Sequence, residues 1–540
     1  MRRAPVLACL GFLSMLAAGA QARPKLGVVV VFDQLRAVEV DRYAPFFGAG
    51  GFGGLNGARY DADYSYASTE TAPGHATLFT GANPVVHGIV TNQWFAGGKR
   101  RYVVEDADYP VLGAAEGVGR SPLQLVAPTL GDAMKGESGG RARVVTVSLK
   151  DRAAILSGGR SADLAVWYEP AQGRFTTGRY WVAEMPAWLQ SLGAELPKQT
   201  LASGPWNPLP VPAALAALVP PDDRKGEGSA KGLTPTFPHD FAAAAPELHR
   251  GLYRMSPGAM EDVFQLALKA VDELGLGDDD EPDLLVVSIS STDYIGHNFG
   301  PDSLEQLDML RRADRALRAF LLALEGRVGR RGYALAVTAD HAAAPLPAAI
   351  EGTRLPGGIL PYSQVVEVAE RAAAAALAKS PSAARATAKK RVQDFLPPQL
   401  FVDTADLAAA DEARVLAAVR AEVAAIPGIA RTYDMNAPGD EDPWAPFMWQ
   451  AAFPGRHASI FVRQLPRWVF LENDAKRGTD HGTPYLYDRR VPLWLVGPGV
   501  KPGRFVQPVD PRDMVVSLAA LLGVPPPDMA SGRPLSALGD

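Results

Sequence analysis

A mainly parallel α/β sheet flanked by helices is the fold predicted by this 540-residue sequence. Five short runs, at 26–32, 143–148, 283–289, 333–338 and 491–496, are rich in Val, Ile or Leu and bounded by polar residues. Unbroken apolar runs of this length suit strands buried on both faces of a parallel sheet. Helix-period stretches such as 303–324 and 511–522 lie between or after them, with apolar residues recurring at three and four positions. Strands alternating with helices place those helices on both faces of one sheet.

The connections are uneven. Residues 153–251 are rich in Pro, Gly and Trp, and the stretch from 342 to 468 mixes an alanine-rich helix with Pro-rich turns. Both read as insertions folded over one edge of the core. The expected division is a core in three parts, 23–152, 252–345 and 469–540, with insertions at 153–251 and 346–468.

Residues 1–22 stand outside that division. Arg2 and Arg3 precede an apolar run from Val6 to Ala18, and Ala20-Gln-Ala22 offers a small-x-small cleavage site before Arg23. That order is the signature of a cleavable secretory signal. The run is shorter than the roughly 20 residues a membrane span needs, so a periplasmic or secreted protein without a stable membrane anchor is expected. Cys9 is the only cysteine, which leaves the mature chain without a disulfide, a thiolate metal site or a cysteine nucleophile. With 54 Lys+Arg against 59 Asp+Glu, the net charge of −5 gives no basic excess to mark a nucleic-acid partner.

Ligands of open α/β sheets gather at the carboxyl ends of the strands. Asp33 follows the first run, Lys150 and Arg152 the second, Asp293 and His297 the third, and Asp340-His341 the fourth. In Asp293-Tyr-Ile-Gly-His297 the carboxylate and imidazole are four residues apart, on one face of a helical turn. His481, within Gly478-Thr-Asp-His-Gly-Thr-Pro484, adds a third imidazole. Three imidazoles and three carboxylates suffice for two metal ions, and nitrogen and oxygen donors without thiolate suit catalytic zinc. The remaining histidines, His75 among them, are expected to hold structure, to support the ligands from behind or to lie at the surface. A pair of metals stabilises both the attacking and the leaving oxygen of an in-line phosphoryl displacement.

Such a displacement needs a nucleophile. In Ser68-Thr-Glu-Thr-Ala-Pro-Gly-His75, Pro73 marks a helix start with Thr71 just ahead of it. Thr71 would sit where backbone N–H groups favour an anion, and metal coordination is one way to activate its hydroxyl. Taken alone, it reads as readily as a helix cap.

Phe32-Asp-Gln34, Thr71-Ala-Pro-Gly-His75, Asn92-Gln-Trp94, Lys150-Asp-Arg152, Asp293-Tyr-Ile-Gly-His297, Asp340-His341 and Thr479-Asp-His-Gly482 occur in an order that resembles the alkaline phosphatase superfamily. More narrowly, the set is similar to the monomeric bacterial alkaline phosphatases that use threonine as nucleophile. The resemblance implies an alkaline-phosphatase-like core and two zinc ions, one held by Asp293, His297 and His481, the other by Asp33, Asp340, His341 and Thr71. It implies that Asn92, Lys150 and Arg152 grip the phosphate oxygens and that the protein is a monomer acting on small phosphate monoesters. Related nucleotide pyrophosphatases and phosphodiesterases share the scaffold but match less well around Lys150-Asp-Arg152. A monoester dianion presents three free oxygens and a diester two, so two cations aimed at the extra oxygen favour the monoester. Phosphodiester hydrolysis on the same scaffold is the alternative.

Overall fold

The computed structural model describes residues 23–228, 230–350, 353–379, 389–437, 442–472 and 476–538. The expected signal at 1–22 and Cys9 lie outside the described residues. The main sheet is built from β1 (Leu26–Phe32), β2 (Ala58–Asp63), β3 (Val144–Ser148), β4 (Leu164–Glu169), β5 (Arg174–Thr176), β6 (Asp283–Ile289), β7 (Tyr333–Thr338), β8 (Arg490–Val496) and β9 (Gly503–Arg504). Its spatial order is β9-β2-β8-β7-β1-β6-β3-β4-β5. The five strands β7, β1, β6, β3 and β4 run parallel at its centre. Every residue of β1, β6, β7 and β3 is buried, as their unbroken apolar sequences require.

Two expectations are corrected. The run at 491–496 is a strand, but it pairs antiparallel with β7 and β2, because burial on both faces sets the apolar run without setting strand direction. Residues 164–176, placed by sequence in an insertion, supply β4 and β5 of the main sheet. Their aromatic Trp167, Tyr168 and Phe175 fill the core where the other strands use aliphatic residues.

The helices that bear on the site are α1 (Thr71–Thr80), α2 (Asp151–Gly158), α3 (Pro257–Leu274), α4 (Ser291–Phe299), α5 (Leu304–Val328) and α6 (Arg512–Leu522). One group, α3 with α5, packs on β6 and β3; the other, α2 with α1 and α6, packs on β3, β4 and β7. Ser303 starts α5 by accepting the Gln306 N–H on its hydroxyl, which ends the chain reversal after α4. Within 346–468, Val392–Leu396, Gln399–Val402, Ile460–Gln464 and Ile429–Asp434 form a separate antiparallel sheet. With helices Tyr362–Leu377 and Ala409–Ala424 it closes a hydrophobic cluster of its own. Among the described residues, no helix is long and apolar enough to cross a membrane.

The register fixes where the chemistry gathers. Leu26 pairs with both Asp283 and Tyr333, and Val31 with Ser288 and Thr338, so β1, β6 and β7 end at one level. Asp33, α4, Asp340 and the turn to Lys150 therefore share one edge of the sheet.

Candidate active site

The elements at that edge bring the six expected ligands together in two groups. Asp293, His297 and His481 offer donor atoms within 4.8 Å of one another, and so do Asp33, Asp340 and His341. Asp293 and His297 meet because α4 puts residues four apart on one face; Oδ1 and Nε2 are 3.2 Å apart. The groups abut, with the rings of His341 and His481 3.8 Å apart between centroids.

Each of the three histidines donates its Nδ1–H to a backbone carbonyl: His297 to Thr479 at 2.9 Å, His341 to Ala342 at 3.0 Å and His481 to Thr69 at 2.6 Å. That fixes each ring and turns every Nε2 toward the carboxylates, the arrangement typical of metal-ligating imidazole. Burial, and then His341 and His297 beside it, hold His481 well below its ordinary value and so neutral. Asp33 Oδ1 and Oδ2, Asp340 Oδ2 and His341 Nε2 are buried without a well-formed hydrogen bond among the described residues, although Lys150 Nζ is 2.8 Å from Asp33 Oδ2. Buried polar atoms left in this way are rare, and convergent ones fit a cation. The donor set of imidazole and carboxylate fits zinc.

Thr71 is the first residue of α1, behind Glu70 as N-cap, and so is not itself the helix cap. Instead Lys150 Nζ donates to Thr71 Oγ1 at 3.0 Å. The same ammonium lies 2.6 Å from Asp293 Oδ2, so one cation joins the hydroxyl to a carboxylate of each group. Burial disfavours the charged amine, but Asp293 and Asp33 raise Lys150 above its ordinary value and keep it protonated. Asn92 accepts the Ala72 N–H on Oδ1 at 3.0 Å, which leaves its amide NH2 as the end able to donate. Thr71, Asn92, Lys150, Arg152, His297 and His481 all line one cavity of about 250 Å³. Asp33, Asp340 and His341 lie beneath it, fully buried. Arg152 Nη1 donates to the Tyr102 hydroxyl at 3.4 Å, and that hydroxyl donates to Asp151.

Several residues that shape the site carry no sequence signal strong enough to single them out. Gln34 takes a left-handed backbone, φ 69°, and ties the groups together: its N–H donates to Asp340 Oδ1 at 3.2 Å and its Nε2 to Asp293 Oδ1 at 2.9 Å. A non-glycine residue there is uncommon and here serves two ligands. His75 supports the site from behind: it donates from Nδ1 to the Thr71 carbonyl at 2.8 Å, with Asp340 Oδ2 3.1 Å away. Tyr362 donates to Asp480 Oδ2 at 3.0 Å, and Asp480 Oδ1 accepts the His481 N–H. Burial pushes the Glu70 carboxyl up to about 7.

Gly74 permits the close approach of α1 to the Asp340 loop, since a Cβ at position 74 would sit 2.2 Å from the Asp340 carbonyl oxygen. Gly74→Ala is therefore expected to displace Asp340 and cost about 1–3 kcal/mol of stability, as overpacking does. Denaturant unfolding checks this, and an unchanged midpoint would contradict it.

The family model for type I phosphodiesterase / nucleotide pyrophosphatase matches residues 28–483. Alkaline phosphatase PafA of Elizabethkingia meningoseptica is 31% identical over 558 residues, covering 98% of this chain and 97% of that protein. Its wild-type crystal structure superposes with a TM-score of 0.86 at 29% identity, covering 95% of this chain and 99% of the other. Alkaline phosphatase PhoV of Synechococcus elongatus is 34% identical over 346 residues, 63% of this chain and 62% of that protein. The chain belongs to the type I phosphodiesterase / nucleotide pyrophosphatase family, within the alkaline phosphatase superfamily, and is close to PafA in both sequence and structure.

Proposed function

We propose that this protein is a zinc-dependent alkaline phosphatase that hydrolyses phosphate monoesters through a phosphorylated Thr71. The observation that carries this reading is the contact of Lys150 Nζ with Thr71 Oγ1 at 3.0 Å, made where the two ligand groups meet. Two zinc ions would fit the donors, one on Asp293, His297 and His481 and the other on Asp33, Asp340 and His341, with Thr71 as a further ligand of the second. When bound, the ions would lower the proton affinity of the Thr71 hydroxyl and of water and offset charge on the attacking and leaving oxygens.

In the first step the Thr71 Oγ1–phosphorus bond forms as the bond to the ester oxygen breaks, and the alcohol leaves. In the second, water attacks phosphorus, the bond to Oγ1 breaks, and inorganic phosphate departs. Lys150 donates to Oγ1, favouring its ionised form, and metal bound at Asp33 and Asp293 would supply the countercharge that these carboxylates otherwise take from Lys150. Lys150, Arg152 and the Asn92 amide then grip the phosphoryl oxygens, so fixed cations meet the charge that develops there. Tyr362, Leu396 and Pro397 line the same cavity from the 346–468 segment and would contact the leaving group. The proposed protein is an exported monomer beginning at Arg23, which N-terminal sequencing and light scattering would read.

The matched family model names phosphodiesterases, which favours diester hydrolysis as the second reading. Lys150→Ala and Arg152→Ala separate the two. Each is expected to lower kcat/KM for an aryl phosphate monoester by about 10²–10³, the scale of a lost transition-state donor, and to lower diester hydrolysis much less. Equal losses on both esters would favour the diesterase reading.

A further inference from the structure

Lys150 and Arg152 also line a second cavity, of about 330 Å³, whose other walls include Arg120, Trp167, Arg254 and Tyr294. Neither Thr71, Asn92 nor any of the six candidate metal ligands borders it. Its volume lies in the roughly 300–1,000 Å³ range of small-ligand sites.

The polar groups of this cavity are mostly donors. Trp167 is fully buried, and its Nε1–H finds no acceptor among the described residues. The Nε–H groups of Arg152 and Arg254 are buried and equally without a partner among the described residues. Arg254 is held by Tyr294, donating from Nη1 to its hydroxyl at 2.9 Å, with the guanidinium 4.6 Å from the ring centroid. Two carboxylates also line the cavity: Asp151 pairs with Arg120 at 2.8 Å, and Glu169 Oε1 accepts the Ala171 N–H at 3.3 Å. Buried donors are costly to leave unmet, and two guanidinium groups beside an indole N–H suit an oxyanion with several acceptor oxygens.

We propose that this cavity is a second oxyanion site, for a phosphate group next to the catalytic one. The group is either released inorganic phosphate or the second phosphate of a doubly phosphorylated substrate. Arg152 borders both cavities, so free phosphate in the second would draw it away from the first and slow turnover without blocking substrate entry. The inference rests on the phosphomonoesterase reading for the identity of the oxyanion, but phosphate binding is read without turnover, so the two can fail separately.

The test titrates the zinc-loaded full chain with inorganic phosphate by calorimetry. Two phosphates per chain are expected. The second is expected to weaken at least tenfold in Arg254→Gln, which keeps a donor for Tyr294, and several-fold in Trp167→Phe, which keeps the ring. Monoester kcat/KM without added phosphate is expected to stay within twofold of the parent in Arg254→Gln. If released phosphate is the occupant, inhibition by phosphate is mixed in the parent and purely competitive in Arg254→Gln. If a substrate phosphate is the occupant, 1,3-propanediol bisphosphate exceeds propyl phosphate in kcat/KM in the parent and loses that advantage in Arg254→Gln. A single phosphate per chain, or a second one unaffected by either substitution, would overturn the proposal. Should Arg254→Gln fail to fold, as judged by thermal melting, Trp167→Phe decides.

Discussion

Thr71→Ala is expected to reduce monoester turnover by about 10³-fold or more, the scale on which covalent catalysis depends on its nucleophile. The fold should survive. Among the described residues, Thr71 Oγ1 makes one hydrogen bond, with Lys150, and that ammonium keeps Asp33 and Asp293 as partners. Losing a bond of this kind costs about 1–2 kcal/mol, a modest part of a large domain's stability. The six donors of the two ligand groups remain, so zinc content should hold. Steady-state assays, thermal melting and elemental analysis of the same preparation check the three parts together. A folded, zinc-replete Thr71→Ala protein with full activity would remove the covalent step.

Chelation should have an effect of similar size. Four buried donor atoms, Asp33 Oδ1 and Oδ2, Asp340 Oδ2 and His341 Nε2, converge without a well-formed hydrogen bond among the described residues, which a bound cation would satisfy. Dialysis against a strong chelator is expected to abolish activity, with zinc restoring it at two ions per chain; activity indifferent to chelation would rule the metal site out. The pH dependence of reloading follows from the imidazoles. Burial opposes charge on His297 and His341, yet the carboxylates beside them, chiefly Asp293 and Asp340, raise His297 to about 10 and His341 to about 9 in the ion-free site. Both are then protonated at neutral pH, and each must release its proton to bind metal. Zinc affinity should therefore rise with pH through neutrality toward about 10 and fall as pH drops, because protons compete for the same lone pairs. A zinc affinity that does not vary with pH would contradict this.

Much of this fold was legible because the central strands are buried on both faces. The runs at 26–32, 283–289 and 333–338 coincide with β1, β6 and β7, and 143–148 exceeds β3 by one residue. What escaped was whatever is not aliphatic or not local. The strand Leu164–Glu169 is marked by Trp167 and Tyr168 rather than Val or Ile, and the direction of Arg490–Val496 depends on how the chain crosses between strands. The ligand groups were readable as Asp and His at strand ends, and α4 made the pairing of Asp293 with His297 a matter of helical geometry. The supports were not. Gln34 reaches residues 259 and 306 positions away, and Tyr362 reaches Asp480 across 118. No periodicity or spacing encodes such contacts; only the assembled sheet edge brings them together. Lys150 also proved more central than a charge following a strand, because burial places its ammonium against Thr71 and both ligand groups at once.

The most direct measurement compares kcat/KM of the zinc-loaded protein for an aryl phosphate monoester and for its methyl diester under the same conditions. Two cations in the cavity with Asn92 and Thr71 should favour the dianion with three free oxygens, so the monoester is expected to be hydrolysed faster by about 10²-fold or more, with two charge-assisted contacts contributing. A diester hydrolysed as fast as the monoester, or faster, would contradict phosphomonoesterase activity and assign the site to phosphodiester chemistry.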